Sequence, residues 1–302
     1  MFKNKFYYTV KAFIPRRLQI ALRSRHVLMK RLSCTDTWPI DEKAGVPPAG
    51  WRGWPDGKKL ALVLTHDVDT ARGHDRCRDL VRLEEKLGFR SSFNFVPERY
   101  EVSSELRAYL ADRGFEVGVH GLYHDGKYFN SRKIFRERAI RINRYIKEWN
   151  AEGYRSPSMQ HNLDWFHDLD IRYDASTFDT DPFEPQPEGV RTIFPFRVCR
   201  NGAQSGYIEL PYTLPQDFTL FVLMREMNID IWKRKLDWIA EKGGMALLNT
   251  HPDYLSFNLS SRGLEEYPAE YYSEFLEYVR EHYQNDCWYA LPKDVARFWA
   301  QY

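Results

Sequence analysis

The sequence predicts an α/β fold in which parallel strands are covered by helices. Three observations carry this prediction. From residue 60 onward, short apolar runs alternate with amphipathic stretches in the order strand, helix, strand, helix. Several of the helical stretches close on glycines, at Gly88, Gly114 and Gly243-Gly244. Polar residues collect where the apolar runs end. The number of runs suits a closed or nearly closed, barrel-like sheet better than a doubly wound one. No GxGxxG follows the first run and no GxxxxGK[ST] occurs, so dinucleotide and P-loop sites have no local support.

The elements follow in order. Residues 60–65 read as the first strand and 75–87 as a helix. Residues 91–96 form a second strand, 103–113 a helix, and 115–119 a third strand. Residues 131–149 form a long helix with acids and bases on its exposed face. A short element near Gly153-Tyr154 follows, then a short helix at 162–168 and a strand at 171–173. Residues 175–206 are polar and rich in proline and glycine, a candidate lid or substrate wall. Strands are expected at 207–210, 245–249 and 287–290, and helices at 229–241 and 268–283. Residues 211–217 read as a rim loop.

Composition sets the frame. The 302 residues are 43% hydrophobic and 28% charged, with a net charge of +2. A chain of this size buries about 75% of the surface its unfolded form exposes. The charge is unevenly spread. Residues 1–35 carry nine Lys and Arg and no acid, and the rest sum to −7. Residues 1–32 mix this charge with apolar residues, and Leu18, Leu22, Met29 and Leu32 fall on one helical side. Such a segment can lie in an anionic membrane interface, or pack on the body of the protein. Nucleic acid is a poor partner, because the acidic body repels phosphates and no reading module is present. Residues 35–59 are turn-rich and hold three tryptophans, which points to an irregular wrap. The chain is thus expected to divide into an appendage, residues 1–59, and a barrel, residues 60–302. The four cysteines are dispersed and form no CxxC pair, as suits a reducing compartment. With no apolar run of spanning length and no signal-like segment, the expected place is the cytoplasm, or the inner face of the membrane.

Four apolar runs end in His or Asp. The first enters Thr65-His66-Asp67-Val68-Asp69 and the third enters His120-Gly121-Leu122-Tyr123-His124. Another enters Tyr173-Asp174-Ala175-Ser176, and a late one enters Asn249-Thr250-His251. In a parallel barrel these C-terminal ends converge on one face, where active sites lie. His120 and His124, four apart, can share a face and close on one ion. Asp67 and Asp69, two apart in extended backbone, point the same way, so one can ligate while the other takes a proton. Two histidines and one carboxylate leave open positions, as catalytic zinc requires, though iron, cobalt or manganese suit the same set. His66 is expected to face the barrel wall in a structural role.

These segments resemble the polysaccharide deacetylases of the NodB-homology type, carbohydrate esterase family four. Thr65-His66-Asp67-Val68-Asp69 stands where that family has Thr-Phe-Asp-Asp, a divergent form with Val68 inserted. His120-Gly121-Leu122-Tyr123-His124 matches His-[Ser/Thr]-x-x-His, with Gly121 at the hydroxyl position. Arg155-Ser156-Pro157 matches Arg-x-Pro, and Leu248-Asn249-Thr250-His251 matches Leu-x-x-His. Asp174 is the best match to the fourth region.

The resemblance implies a distorted (β/α)7-type barrel and a zinc-dependent, or other divalent-metal-dependent, hydrolase of carbon–nitrogen amide bonds. It would remove N-acetyl groups from a hexosamine-containing glycan, or from a lipid-linked precursor in surface-polysaccharide biosynthesis. It implies Asp67 as base, Asp69, His120 and His124 as metal ligands, and His251 as acid, with the two aspartate roles open to exchange. Arg155 would orient the base and Asp174 would tune His251. Tyr123, Tyr154, Tyr212 and Asp217 are candidate substrate contacts. A glycan-binding protein without turnover and a metal-dependent amidohydrolase on a non-sugar substrate are the alternatives.

Overall fold

The computed structural model of the chain describes residues 15–200, 205–258 and 262–302. β1 (Leu60–Val68), β2 (Ser92–Phe95), β3 (Glu116–His120), β4 (Gly153–Arg155) and β5 (Tyr173–Asp174) lie side by side in parallel. β6 (Phe196–Cys199) and β7 (Gly206–Glu209) form an antiparallel pair, and β7 joins β5 in parallel. β8 (Met245–Thr250) pairs with β1 from Ala61 to His66. β9 (Leu255–Ser256) and β10 (Tyr267–Pro268) make a separate small pair. β11 (Cys287–Ala290) pairs with the first half of β1, and β2 with its second half. β8 overlaps both halves, so it takes the opposite edge of β1.

The sheet curls into a half-barrel, and a parallel bridge from Leu214 to Leu248 brings the chain after β7 against β8. β1 sits at its centre, and all nine of its residues are buried, polar ones included. A strand covered on both faces has that character. The sequence placed β1 to β5, β7, β8 and β11 in this order, although β5 is only two residues long, and gave no sign of β6, β9 or β10.

Helices cover the sheet: α1 (Arg16–Arg31), α2 (Ala71–Leu87), α3 (Ser104–Asp112), α4 (Arg132–Glu148), α5 (Asp230–Lys242), α6 (Ala269–Tyr283) and α7 (Pro292–Trp299). The Ser103 and Ser131 hydroxyls accept the backbone N–H of Leu106 and Ile134, capping α3 and α4. α2 begins four residues before its expected start, and Gly73 in its first turn packs tightly on Asp253. Among the described residues no helix is long and apolar enough to cross a membrane.

The basic segment is described only from residue 15, so its expected features at 1–14 lie outside the described residues. α1 packs on the body through Gln19, Ile20, Ser24 and Val27. Leu18, Leu22, Met29 and Leu32, the row expected on one side, face outward and are 50–81% exposed. After α1 the chain wraps irregularly, pinned by buried Trp38 and Trp54. The Trp54 indole donates to Gly243 O at 2.9 Å.

Two stretches differ from expectation. Residues 175–206 contain β6 and bury Thr177, Phe178, Asp179 and Asp181. The surrounding prolines and glycines mask that packing in the sequence. The expected rim loop at 211–217 is instead buried throughout and runs into a π-helical turn, Phe218–Leu223, against which α1 rests.

Candidate metal centre

The C-terminal ends of β1, β3, β4 and β8 meet at one cavity of about 120 Å³. Asp67, His120, His124, Ser158, Glu184, Gln216, Phe218, His251 and Tyr254 are among its walls. Ligand-bearing residues sit here because a parallel sheet brings all its strand ends to one face.

Asp69, His120 and His124 form a three-donor cluster, with one ligand atom from each within 4.8 Å of the others. Asp69 Oδ1 lies 3.4 Å from His120 Nε2 and 3.2 Å from His124 Nε2. That oxygen is buried and accepts no hydrogen bond. His120 Nδ1 lies 3.1 Å from Arg155 O, the contact of a ring that donates from Nδ1 and keeps its Nε2 lone pair free. An orphaned buried carboxylate oxygen facing two imidazole nitrogens fits a divalent transition metal.

The local backbone serves this cluster. His124 adopts a left-handed conformation, φ 56°, uncommon for a residue with a side chain. Gly121 has φ +63°, and a Cβ there would lie 2.4 Å from Pro157 Cγ. This packing explains why glycine replaces a hydroxyl residue at that position. Asp253 Oδ2 accepts the Asp69 backbone N–H at 2.9 Å, and Asp253 Oδ1 accepts from the Thr70 hydroxyl, fixing the loop that carries Asp69.

Asp67 is buried amid donors. Asn94 Nδ2 donates to its Oδ1 at 3.1 Å and Asn249 Nδ2 to its Oδ2 at 2.9 Å. Asn94 is the direct neighbour of Asp67 on β2, and Gly118 beside it on β3 leaves room for its amide, since a Cβ there would stand 2.1 Å from Asn94 Oδ1. Arg155 Nη1 is 3.4 Å from Asp67 Oδ1 and closer to Thr65 Oγ1, at 2.8 Å, and Asn249 Oδ1, at 2.5 Å. Arg155 therefore acts on Asp67 both directly and through Asn249. Burial alone would raise the Asp67 pKa, but the neighbouring His120 imidazole and the Arg155 guanidinium outweigh it and hold the carboxyl below its ordinary value.

His251 faces the same cavity with Asp217 behind it. Asp217 Oδ1 lies 2.7 Å from His251 Nδ1, and Oδ2 accepts the His251 backbone N–H at 2.8 Å. Burial would lower the imidazole pKa, but the Asp217 charge overrides it and pushes the value up to about 10.

The structure reassigns several expected contacts. Asp217, not Asp174, is the carboxylate on His251. Asp174 is fully buried and instead accepts from the Ser176 hydroxyl and backbone N–H, at 2.7 and 2.9 Å. Asp217, expected at the substrate, is itself buried beneath His251 and takes the Tyr267 hydroxyl at 3.0 Å. Tyr154 and Tyr212 are each 1% exposed and pack in the core, where Tyr212 donates to Asp181 at 2.8 Å. Tyr123 is half-buried beneath Arg138, whose guanidinium lies 5.1 Å from its ring centroid. None of the three tyrosines lines the cavity. His66 turns to the wall, with Nε2 2.8 Å from Glu84 Oε1 and Nδ1 2.7 Å from Thr250 Oγ1.

Phe183, Glu184 and Pro185, from the stretch expected to act as a wall, line the cavity. Asn94, Asn249, Asp253 and Tyr254 were not singled out from the sequence. Asn249 and Asp253 stand beside His251, and Asn94 stands in a predicted strand, but a lone asparagine or aspartate in such a place is an ordinary event.

No protein-family model and no curated protein matches the chain. Solved structures do. A protein named as a polysaccharide deacetylase from Mycobacterium smegmatis superposes with a TM-score of 0.59 at 20% identity, covering 84% of this chain and 94% of that one. A protein from Pseudomonas aeruginosa PAO1, named likewise, gives 0.61 at 15% identity, covering 84% and 95%. Puue allantoinase gives 0.61 at 14% identity, with the same coverage of 84% and 95%. The chain has the distorted α/β barrel fold of the polysaccharide deacetylases, a fold that this allantoinase shares.

Proposed function

We propose that the protein is a metal-dependent hydrolase that removes the acetyl group from an N-acetylated hexosamine of a glycan or glycan precursor in surface-polysaccharide assembly. One observation carries the reading. Two histidines of a three-donor cluster, a buried carboxylate and a carboxylate-backed histidine line one cavity, with the third donor, Asp69, beside the two histidines.

Asp69, His120 and His124 would hold the ion, and zinc suits a donor set of two imidazoles and one carboxylate. When bound, it supplies Lewis-acid polarisation of the acyl carbonyl and lowers the pKa of water. Asp67, kept ionised by Arg155, takes a proton from the attacking water as its oxygen bonds to the acyl carbon. The tetrahedral centre then collapses and the carbon–nitrogen bond breaks. His251, kept as imidazolium by Asp217, gives its proton to the leaving nitrogen. Acetate and a free amine result.

A second reading has one observation in its favour. The cavity is small and the fold is shared with an allantoinase, so an amidohydrolase on a small amide would use the same residues. Two further features bear on location. The free cysteines support a reducing compartment such as the cytoplasm. The outward row on α1, beside Arg17 and Arg25, supports peripheral contact with an anionic membrane.

The test is acetate release by zinc-reconstituted protein from nucleotide-linked and lipid-linked N-acetyl sugars, beside a panel of cyclic and linear small amides. Metal-dependent acetate release is the expected result. Hydrolysis of the small amides alone would overturn the sugar reading.

A further inference from the structure

A groove of about 360 Å³ opens beside the metal cavity. His124, Tyr254 and Arg23 line both, so the two spaces are continuous along one wall. Four arginines stand around the groove: Arg16, Arg23, Arg72 and Arg99. They come from three separate places. Arg16 and Arg23 belong to α1, Arg72 to the first turn of α2, and Arg99 to the loop after β2.

The acids in the groove offset part of this charge but leave Arg23 and Arg99 without an ion-pair partner among the described residues. Asp69 faces His120 and His124. Asp253 is occupied by the Thr70 hydroxyl and the Asp69 backbone. Glu265 pairs with Arg16. Arg72 reaches Glu266 Oε1 only at 3.6 Å, an oxygen that Arg76 already holds at 2.6 Å. Among the described residues, Arg23 and Arg99 have no carboxylate within ion-pair distance. The Arg23 guanidinium rests on the Phe218 ring, 5.0 Å from its centroid, which orients its planar fork without neutralising it.

Like charges gathered in a concave wall repel one another, and the arrangement is relieved by an anion placed among them. Guanidinium forks from three directions suit a group with oxygens on several sides, which a phosphate has and a carboxylate has not. We propose that this groove binds the phosphate or diphosphate ester of the substrate, while the acetamido group of the attached sugar enters the metal cavity. The inference rests on the hydrolase reading above and narrows its substrate to phosphorylated N-acetyl sugars. The ester can be part of a nucleotide or of a polyprenyl lipid; its chemistry in the groove is the same. The basic helix α1 then has a defined place in the fold, since Arg23 joins the anion groove to the reacting end.

The test uses the full chain, with zinc content measured. Inorganic pyrophosphate is titrated by calorimetry into wild type, Arg23→Gln, Arg99→Gln and His120→Ala. Binding is expected to weaken about tenfold in each arginine variant, as loss of a charge-assisted contact implies. It is expected to persist in metal-depleted His120→Ala. Equal binding by wild type and both arginine variants overturns the groove. So does loss of binding in His120→Ala alone, which marks chelation by the metal. Acetate release is then followed with a uridine-diphosphate N-acetyl sugar, a short polyprenyl-diphosphate N-acetyl sugar in detergent, and the unphosphorylated sugar. A KM about tenfold lower for one phosphorylated form supports the proposal and identifies the source of the phosphate. Preference for the unphosphorylated sugar overturns the proposal and leaves the hydrolase reading intact. Arginine-dependent pyrophosphate binding without acetate release from any sugar overturns the hydrolase reading instead.

Discussion

His251 is gripped twice by Asp217: Oδ1 lies 2.7 Å from the ring Nδ1 and Oδ2 accepts the backbone N–H at 2.8 Å. The double contact fixes the ring orientation and leaves Nε2 as the free proton donor. It also holds the imidazole charged up to about pH 10, although burial opposes this. A general acid must be protonated to act, so kcat should stay level through neutral pH and fall above that value. Asp217→Asn removes the largest charge that raises the imidazole pKa and leaves burial opposed only by Asp69 and Asp67, so the value should fall. The alkaline limb of the kcat profile should move to lower pH. At pH 8, kcat should drop on the order of 10²–10⁴-fold. A pH–rate profile with zinc content measured alongside checks this, and an unmoved limb would remove His251 from the acid role.

Asp67 and Asp69 are two residues apart yet stand in different company. Asp69 Oδ1 has only the two histidine nitrogens around it, while Asp67 accepts from Asn94 and Asn249 and lies beside Arg155. Asp67→Asn should therefore keep the bound metal and lose turnover by about 10²–10⁴-fold. His120→Ala and Asp69→Asn should lose metal. Metal content of the purified variants after dialysis decides the matter. Depletion in Asp67→Asn with retention in Asp69→Asn would exchange the two roles.

Much of this arrangement is legible in the sequence because β-strand ends carry it. Apolar runs that close in Thr65-His66-Asp67, His120 and His251 announce both the sheet and the face where its ends meet. Contacts made across the barrel leave no such trace. Asp217 lies 34 positions from His251, at the end of a segment that reads as a rim loop, and the pairing of Thr213 and Leu214 with Leu247 and Leu248 brings it under the ring. Asp174 sits at a strand end as Asp67 does, yet β5 turns its side chain to Ser176. The tyrosines mislead for a different reason. With aromatic residues at 16% of the chain, proximity to a motif does not separate a sugar platform from core packing. Gly121, which looks like a defect in the second motif, follows from its positive φ and the closeness of Pro157.

α1 shows its apolar row outward while its other side is buried, an arrangement that leaves Leu22 and Met29 at 54% and 55% exposure. Replacing both by serine removes little packing, so thermal stability should change by no more than about 1 kcal/mol. Sedimentation of the full chain with vesicles containing anionic lipid should fall several-fold in the double variant. It should be weak with zwitterionic vesicles for both proteins, because the flanking arginines need anionic headgroups. Equal sedimentation of variant and wild type would leave the row without a membrane role.

Glu116, at the opposite end of β3 from His120, gives the fold a pH dependence separate from the site. It is 4% exposed. Its two oxygens receive the Tyr173 hydroxyl at 2.8 Å and the Lys293 backbone N–H at 3.1 Å. Burial outweighs these donors and pushes its pKa from 4.5 up to about 7. The folded chain thus holds a proton that the unfolded chain releases between those values. Stability from this group is therefore present below about pH 4.5 and is lost as pH rises to about 7, by on the order of 3 kcal/mol. Glu116→Gln cannot ionise and should lack that loss. Urea unfolding of both proteins at pH 5 and pH 8 isolates it, since the other titrating groups cancel in the difference. The variant should gain on wild type by a few kcal/mol between the two pH values. A constant difference would mean that Glu116 is ionised throughout and that its two donors compensate for its burial.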